Sequence, residues 1–267
     1  MLTLSQIRAF YPGMPEDVQT SIHLLKEYVE LMVLNYLSSS KYIEKLSFIG
    51  GTNLRLIKGI DRFSEDLDFD CKNLTANEFT RMTDDVIRFL QKNGLPAEAK
   101  EHESDKLTAM RRSIRFPELL YNFGLASEAE RNRKFLLKIE AQDQGVDYKP
   151  DKAMVSMDGF HFQIPQPPVE TMCSMKLSTI LSRGKGRDFY DSIFLMQMAG
   201  ADYEYLAARN GIHSAEELES AILNKIASTD LEMKSRDFEY LIFDKNKAST
   251  ILGYESAFME WLHRKNL

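Results

Sequence analysis

Cysteine is scarce in this chain, and long apolar runs are absent from it. The two cysteines among 267 residues, Cys71 and Cys173, stand far apart and in no Cys-x-x-Cys spacing, which argues against a disulfide framework and a zinc ribbon. No uninterrupted apolar run exceeds four residues, whereas a membrane-spanning helix needs ~20, and the N-terminus has no signal-peptide pattern. These absences predict a soluble, cytoplasmic protein with no membrane partner.

The sequence also lacks the motifs of several common enzyme classes. Gly-x-Ser-x-Gly, which carries the nucleophile of many serine hydrolases, is absent, and so is the phosphate-binding loop Gly-x-x-x-x-Gly-Lys-Ser/Thr. The histidines do not fall in a zinc-ligand spacing. The sequence therefore favours neither a serine hydrolase, nor a P-loop ATPase, nor a zinc enzyme.

Positive charge is not in surplus either. Against 34 Lys and Arg stand 40 Asp and Glu, which leaves a net charge of -6. Because proteins that wrap nucleic acid without specificity are usually basic, a nucleic-acid partner would have to use local patches. Residues 111–115 and 131–134 are two such patches, although an ordinary solvated surface is the favoured interpretation of each, because charge clusters mostly serve solubility.

Length and proline content indicate two structural units. At about 150 residues per domain, the chain has room for two. Pro165, Pro167 and Pro168 separate a part with mixed patterns from a part in which candidate helices dominate. We therefore predict an α+β fold in which residues 1–165 form a small mixed β-sheet flanked by helices, and residues 166–267 form a mainly helical domain that completes the active-site cleft.

Periodicity places the secondary structure along the chain. Apolar residues at steps of three and four, with capping boxes at Thr75–Glu78 and Ser214–Glu217, predict helices at residues 15–37, 75–94, 169–182, 188–199, 203–210, 214–227 and 255–264. Alternating patterns and short apolar runs predict strands at residues 46–49, 66–70, 113–116, 135–141 and 160–164.

A diglycine turn follows the first predicted strand. Gly50 and Gly51 lack a Cβ, so the backbone turns sharply and comes close to a ligand, and Thr52 is able to start a short helix through Leu56. Backbone N–H groups in such a turn suit the outer phosphates of a nucleotide. An ordinary turn is the alternative interpretation.

An acidic strand lies a short distance further along. Asp66 and Asp68 are two residues apart, so their side chains point to the same face while Leu67 points to the core. Two such carboxylates are costly to ionise together without a cation between them, and Mg²⁺ prefers carboxylates with phosphate oxygens. A solvated acidic face is the alternative for this strand alone. Its combination with the diglycine turn favours metal-dependent nucleotide transfer.

A third carboxylate is predicted on a neighbouring strand. In residues 134–141, Leu136, Lys138 and Glu140 alternate with apolar residues and share one face. Glu140 is therefore the candidate third metal ligand or base.

A basic block follows in the second half. Lys176, Arg183, Lys185 and Arg187 are close in the sequence, and glycines at positions 184 and 186 would let a loop close over a ligand. Such cations would hold a triphosphate and neutralise charge as pyrophosphate leaves. The alternative is a solvated helix end beside a basic loop.

The order of these motifs resembles a known family. Gly50-Gly51-Thr52-x-Leu54-Arg55, then Arg62-x-Ser64-Glu65-Asp66-Leu67-Asp68-Phe69, is similar to the signature of the AbiEii/AbiGii toxin family of nucleotidyltransferases, in the polymerase-β-like superfamily. A later block, Glu170 to Lys176-Leu177 and Arg183-Gly-Lys185-Gly-Arg187-Asp188-x-Tyr190-Asp191, also resembles that family.

The resemblance implies roles for individual residues. Lys176 would contact the triphosphate, and Asp188 would be a further active-site residue. Asp188 is also explained as the N-cap of its helix, and Asp191 as a first-turn acid. Arg55, Arg62 and Ser64 are secondary candidates for orienting the phosphates or the loop.

The resemblance also implies a reaction and partners. The reaction is transfer of a nucleoside monophosphate from an NTP to an acceptor hydroxyl, with Mg²⁺, or Mn²⁺ in its place. The acceptor would be RNA, such as tRNA, and the protein would be the toxin of a toxin–antitoxin pair with an antitoxin encoded nearby. The alternatives are transfer to a small molecule or a protein, and a non-catalytic nucleotide-binding regulatory module, against which the intact Asp66 and Asp68 speak.

Overall fold

The computed structural model describes residues 2–100 and 109–265 and separates into two compact units. The first unit comprises Met1–Lys58, Phe63–Asp143 and Lys152–Gln166, and the second comprises Gly59–Arg62, Gln144–Asp151 and Pro167–Leu267. The second unit thus takes two short segments from earlier in the chain in addition to its main stretch. Within the described ranges, every helix is too short or too polar to cross a membrane.

The first unit is built on a five-stranded mixed sheet in the order β1-β2-β5-β4-β3. Its strands are β1 (Leu46–Ile49), β2 (Asp66–Cys71), β3 (Glu98–Ala99), β4 (Met110–Arg115) and β5 (Leu136–Gln142). β2 and β5 run parallel, and the other neighbours run antiparallel. A separate two-stranded sheet consists of β6 (Asp151–Met157) and β7 (Phe160–Gln166).

The two central strands divide their side chains between core and surface. Leu67 and Phe69 of β2, and Leu137 and Ile139 of β5, are at most 2% exposed. Burying each such side chain contributes about 1.5–3 kcal/mol to folding. The intervening polar residues therefore project from the opposite face, where they remain half-buried.

Several α-helices of the described residues belong to the first unit. They are α1 (Leu4–Ala9), α2 (Val18–Ser38), α3 (Gly50–Asn53), α4 (Ala76–Lys92) and α5 (Leu119–Asn122). α4 begins at the predicted capping box, because the Thr75 hydroxyl accepts from the Glu78 N–H at 3.2 Å and the Glu78 carboxylate accepts from the Thr75 N–H at 3.0 Å. α4 packs against α2, β3 and β4.

The second unit is mainly helical. Its helices are α6 (Val169–Ser182), α7 (Gly186–Met196), α8 (Tyr203–Asn210), α9 (Ala215–Ala227), α10 (Leu231–Arg236) and α11 (Tyr254–Lys265). α6 packs against α7, α8 and α9, and α7 also contacts α10 and α11. Ser214 caps α9, but the Glu217 carboxylate accepts from the His213 N–H at 2.6 Å, so the predicted capping box is displaced by one residue.

The α+β prediction is confirmed, and several element boundaries differ from the predicted ones. The short helix after β1 begins at Gly50 and not at Thr52. α7 begins at Gly186, two residues before the predicted start at Asp188. The sequence analysis did not predict β6, in which only Ala153 and Val155 are buried.

Candidate active site

The diglycine turn brings the main chain against the acidic strand. Gly50 has φ +81°, a conformation that favours glycine, and a Cβ at this position would lie 2.3 Å from Oδ2 of Asp68. No side chain fits that space without moving the carboxylate. The turn and Asp68 are therefore in direct contact.

Thr52 has a different role from the predicted one. Its side chain is fully buried, and its hydroxyl donates a hydrogen bond of 2.6 Å to the main-chain oxygen of Asp66. The hydroxyl therefore links α3 to the start of β2 and is not directed at a phosphate. Gly51 beside it is buried as well.

The polar face of the sheet carries a ladder of opposite charges. Nζ of Lys138 lies 3.2 Å from Oδ1 of Asp66, its register partner across the parallel pair. Asp68 is paired in register with Glu140, which therefore projects from the same face. Oε1 of Glu140 forms an ion pair of 2.8 Å with Nε of Arg111, its partner on β4. Asp66 and Glu140 on this face thus each have a cationic partner.

The donor set on this face suits a hard divalent cation. Asp66 and Asp68 offer carboxylate oxygens, the ligands Mg²⁺ prefers, and the glycine at position 50 lets the turn lie against Oδ2 of Asp68. Across residues 2–100 and 109–265, no three His, Cys, Asp or Glu side chains are grouped to hold a metal ion. Glu140 is engaged by Arg111, as Asp66 is by Lys138, so Asp66 and Asp68 as metal ligands and Glu140 as the third ligand stay predictions.

Arg55 and Ser64 both lie near the turn in the sequence, but their surroundings differ. The Arg55 guanidinium donates to both carboxylate oxygens of Glu27 on α2, at 2.7 and 3.1 Å. Glu27 in turn accepts from the Tyr11 hydroxyl at 2.6 Å. Arg55 is therefore held in a largely buried network and is not directed at a phosphate, whereas Ser64 is half-buried just before β2.

The second unit contains a buried cluster of alternating charges. Arg62 is 1% exposed, and two of its nitrogens donate to the two carboxylate oxygens of Asp191 at 2.6 Å each. Nζ of Lys176 lies 2.7 Å from Oδ2 of Asp191. Asp188, also fully buried, accepts from Arg183 at 2.9 and 3.0 Å. Lys176 and Arg183 are therefore both neutralised by carboxylates within this unit.

These partners keep both buried carboxylates ionised. Burial alone would raise the pKa of Asp191, but the Arg62 guanidinium and the Lys176 ammonium outweigh it, and the pKa lies below its usual value. The same balance lowers the pKa of Asp188, with burial opposed by Arg183 and Lys176. The cluster is thus a charged network and not a set of neutral side chains.

The start of α7 corrects several expectations. Its N-cap is Lys185, whose N–H donates to the Asp188 carboxylate at 3.1 Å, so Asp188 is not the N-cap. Asp191 lies beyond the first turn.

A Cβ on Gly186 would fall 1.9 Å from the main-chain oxygen of Lys234, so this glycine allows close packing and does not serve a flexible loop. In the described part of the chain, Lys185 and Arg187 form no ion pair, unlike Lys176 and Arg183.

The sequence analysis missed the ion pairs that the cations of β4 and β5 form. Arg111 was part of a surface patch, yet it pairs with Glu140, and Arg112 and Arg115 pair with Asp84 and Glu98. For Lys138, strand alternation already placed it on the face of Glu140. Its partner Asp66 became apparent only from the register of β2 against β5.

We predict that Gly50→Ala lowers nucleotide transfer by about 10²-fold or more, because the new Cβ displaces the Asp68 carboxylate. Gly59→Ala is the matched control. Gly59 has φ +79°, and no described atom lies within 4 Å of its Cβ position. Both variants should lose about 1–2 kcal/mol from left-handed strain, measured by chemical denaturation, but only Gly50→Ala should lose transfer. Equal transfer rates would show that the contact with Asp68 has no role.

Comparisons with known proteins identify a family and a shared fold. A family model described as nucleotidyl transferase AbiEii toxin, Type IV TA system, matches residues 33–254. The nucleotidyltransferase toxin MenT4 of Mycobacterium tuberculosis H37Rv superposes with a TM-score of 0.62 at 15% identity, covering 98% of this chain and 90% of MenT4. A putative nucleotidyltransferase from H. pylori superposes with a TM-score of 0.52 at 18% identity, covering 90% and 95%. At these identities the two structures show a shared fold alone. None of the curated protein sequences compared with the chain matched it.

Proposed function

This chain belongs to the AbiEii family of nucleotidyltransferase toxins from type IV toxin–antitoxin systems, and from this premise we propose that it transfers a nucleoside monophosphate from an NTP to an acceptor hydroxyl with the help of Mg²⁺ or Mn²⁺. The observation that carries the proposal is the contact between Gly50 and Asp68. It holds a backbone turn without side chains against a carboxylate of an alternating acidic strand, which is an arrangement suited to a metal–phosphate complex.

In this proposal Asp66 and Asp68 hold the ion. When bound, the ion would neutralise charge on the phosphates and polarise the attacked phosphorus. Lys138 balances the charge of Asp66, with Nζ at 3.2 Å from the carboxylate. Because Gly50 has no Cβ, the turn packs against the Asp68 carboxylate without displacing it.

The acceptor in this proposal is RNA, with tRNA as the first candidate, and the partner protein is an antitoxin. A type IV toxin family implies an antitoxin, which supports the proposed protein partner. The RNA acceptor is supported by exposed cations of residues 131–134 that are described below. The net charge of -6 means that such binding depends on this local surface and not on the protein as a whole.

Labelling with each α-labelled NTP tests the proposal. The protein is incubated with Mg²⁺ and total RNA, beside Asp68→Asn and beside a reaction with a chelator. Label that enters RNA only with intact protein and metal supports the proposal. Label entering RNA equally with Asp68→Asn removes that residue from the reaction. Label in protein or in a small molecule identifies another acceptor, and NTP binding without transfer indicates a regulatory module.

A further inference from the structure

A cleft of about 580 Å³ opens in the first unit beside β3, β4 and the start of β5. Its walls carry the cations Lys100, Arg133 and Lys134 together with Asn132, all of them exposed. The metal and nucleotide site proposed above uses none of these residues.

The charge of this cleft is positive once its ion pairs are counted. Its two acidic wall residues are both engaged, Glu98 by Arg115 and Glu118 by Arg131, whose Nε lies 3.1 Å from Oε1. In contrast, no carboxylate of the described residues pairs with Lys100, Arg133 or Lys134. Three cations are therefore left to meet an anionic ligand. One phosphate would not need so wide a cleft, whereas a chain of phosphates would.

The floor of the cleft indicates how such a ligand would be contacted. Phe116 and Phe135 are 1% and 3% exposed and pack edge to face with centroids 5.5 Å apart. Because the rings are covered, they do not form a platform on which bases could stack. A polynucleotide here would be bound through its phosphates, with little preference for sequence.

The cleft lies at the end of the sheet where the acidic pair begins. Residues 133–136 also border a second cavity, of about 200 Å³, which is lined by Lys26 and by Glu65, the residue before Asp66. Leu136 starts β5, and Lys138, about 7 Å further along the strand, pairs with Asp66. A polynucleotide chain lying in the cleft would thus bring its end to the Asp66 side of the acidic face.

We propose that this cleft binds the phosphodiester backbone of the acceptor polynucleotide and directs its terminal hydroxyl towards Asp66. The proposal rests on the function proposed above and adds to it a docking site for the acceptor. Arg133 and Lys134 supply the main contacts, because they border both cavities.

Binding is tested apart from catalysis, in the full chain carrying Asp68→Asn. Fluorescence anisotropy measures the affinity for a labelled single-stranded RNA and for DNA of the same sequence at several salt concentrations. The test variant is Arg133→Glu with Lys134→Glu, and Arg133→Gln with Lys134→Gln repeats it with a smaller charge change. The matched control is Lys41→Glu with Arg81→Glu, which changes the charge equally at two exposed sites outside the cleft.

The charge-reversed cleft variant should bind RNA at least about 10-fold more weakly at low salt, and the salt slope should decrease by about 1.4 for two lost phosphate contacts. The control should bind normally. An equal loss on DNA supports a cleft for either polynucleotide, and a loss on RNA alone supports an RNA site. Unchanged affinity in the cleft variants, or equal weakening in the control, would overturn the proposal. If the cleft variants lose binding but the unmutated protein labels no polynucleotide, the docking site stands and the proposed reaction fails.

Discussion

Replacing Asp68 with asparagine is expected to lower nucleotide transfer by about 10³-fold or more, with no loss of thermal stability. The amide keeps the shape of the side chain and its fit against Gly50. It removes the negative charge that a bound cation needs, and such a cation contributes several kcal/mol of charge stabilisation in the transition state, where each 1.36 kcal/mol is a factor of ten. Removing one of two neighbouring carboxylates also reduces their repulsion, so unfolding should not become easier.

The measurement is label transfer from the preferred NTP, together with thermal unfolding of both proteins. Asp143→Asn is the control, because Asp143 is an exposed carboxylate paired with Lys72 at 2.6 Å just beyond β5. It should transfer nucleotide at the normal rate. A rate for Asp68→Asn within a factor of ten of the unmutated protein would contradict a metal-binding role for Asp68.

The second large effect is expected on stability. Asp191→Asn should lower the free energy of unfolding by about 3–5 kcal/mol, because it leaves the Arg62 guanidinium buried opposite an amide. Arg62 and Asp191 are 1% and 0% exposed, so water cannot replace the lost partner. Chemical denaturation at neutral pH measures the difference.

The pH dependence of this difference separates charge from packing. The pKa of Asp191 is lowered in the folded protein, so its contribution is fully present above the unfolded value of about 3.9. It is lost as the pH falls through the lower folded pKa, where protonated aspartate resembles asparagine. The gap between the two proteins should therefore narrow only below about pH 4. A gap unchanged at low pH would mean that packing and not charge is responsible.

An exposed pair in the same unit is the control for Asp191. Lys234 and Asp237 lie 3.7 Å apart, and the Asp237 side chain is 44% exposed. Asp237→Asn should cost less than about 1 kcal/mol, as exposed ion pairs commonly do. If both variants cost the same, burial of the Arg62–Asp191 pair is not what makes it strong.

Several features of this protein could be predicted because their causes are local. The Thr75–Glu78 capping box starts α4 through hydrogen bonds that span three residues. The alternation from Asp66 to Asp70 assigns side chains to the two faces of β2, although Asp70 itself is buried. The order of the motifs was sufficient to predict the family, and the family match confirms that prediction.

The tertiary structure decided which residues form ion pairs and close contacts with each other. The sequence by itself determined most of the longer helices, the acidic strand and the family, since each depends on neighbouring residues or on motif order. It did not determine that Lys138 neutralises Asp66, or that Arg62 meets Asp191, because these pairs form between segments 72 and 129 residues apart. The same holds for Gly186, whose need for glycine comes from the main-chain oxygen of Lys234. Charge pairing and close packing depend on distances in space, and a single sequence does not contain them.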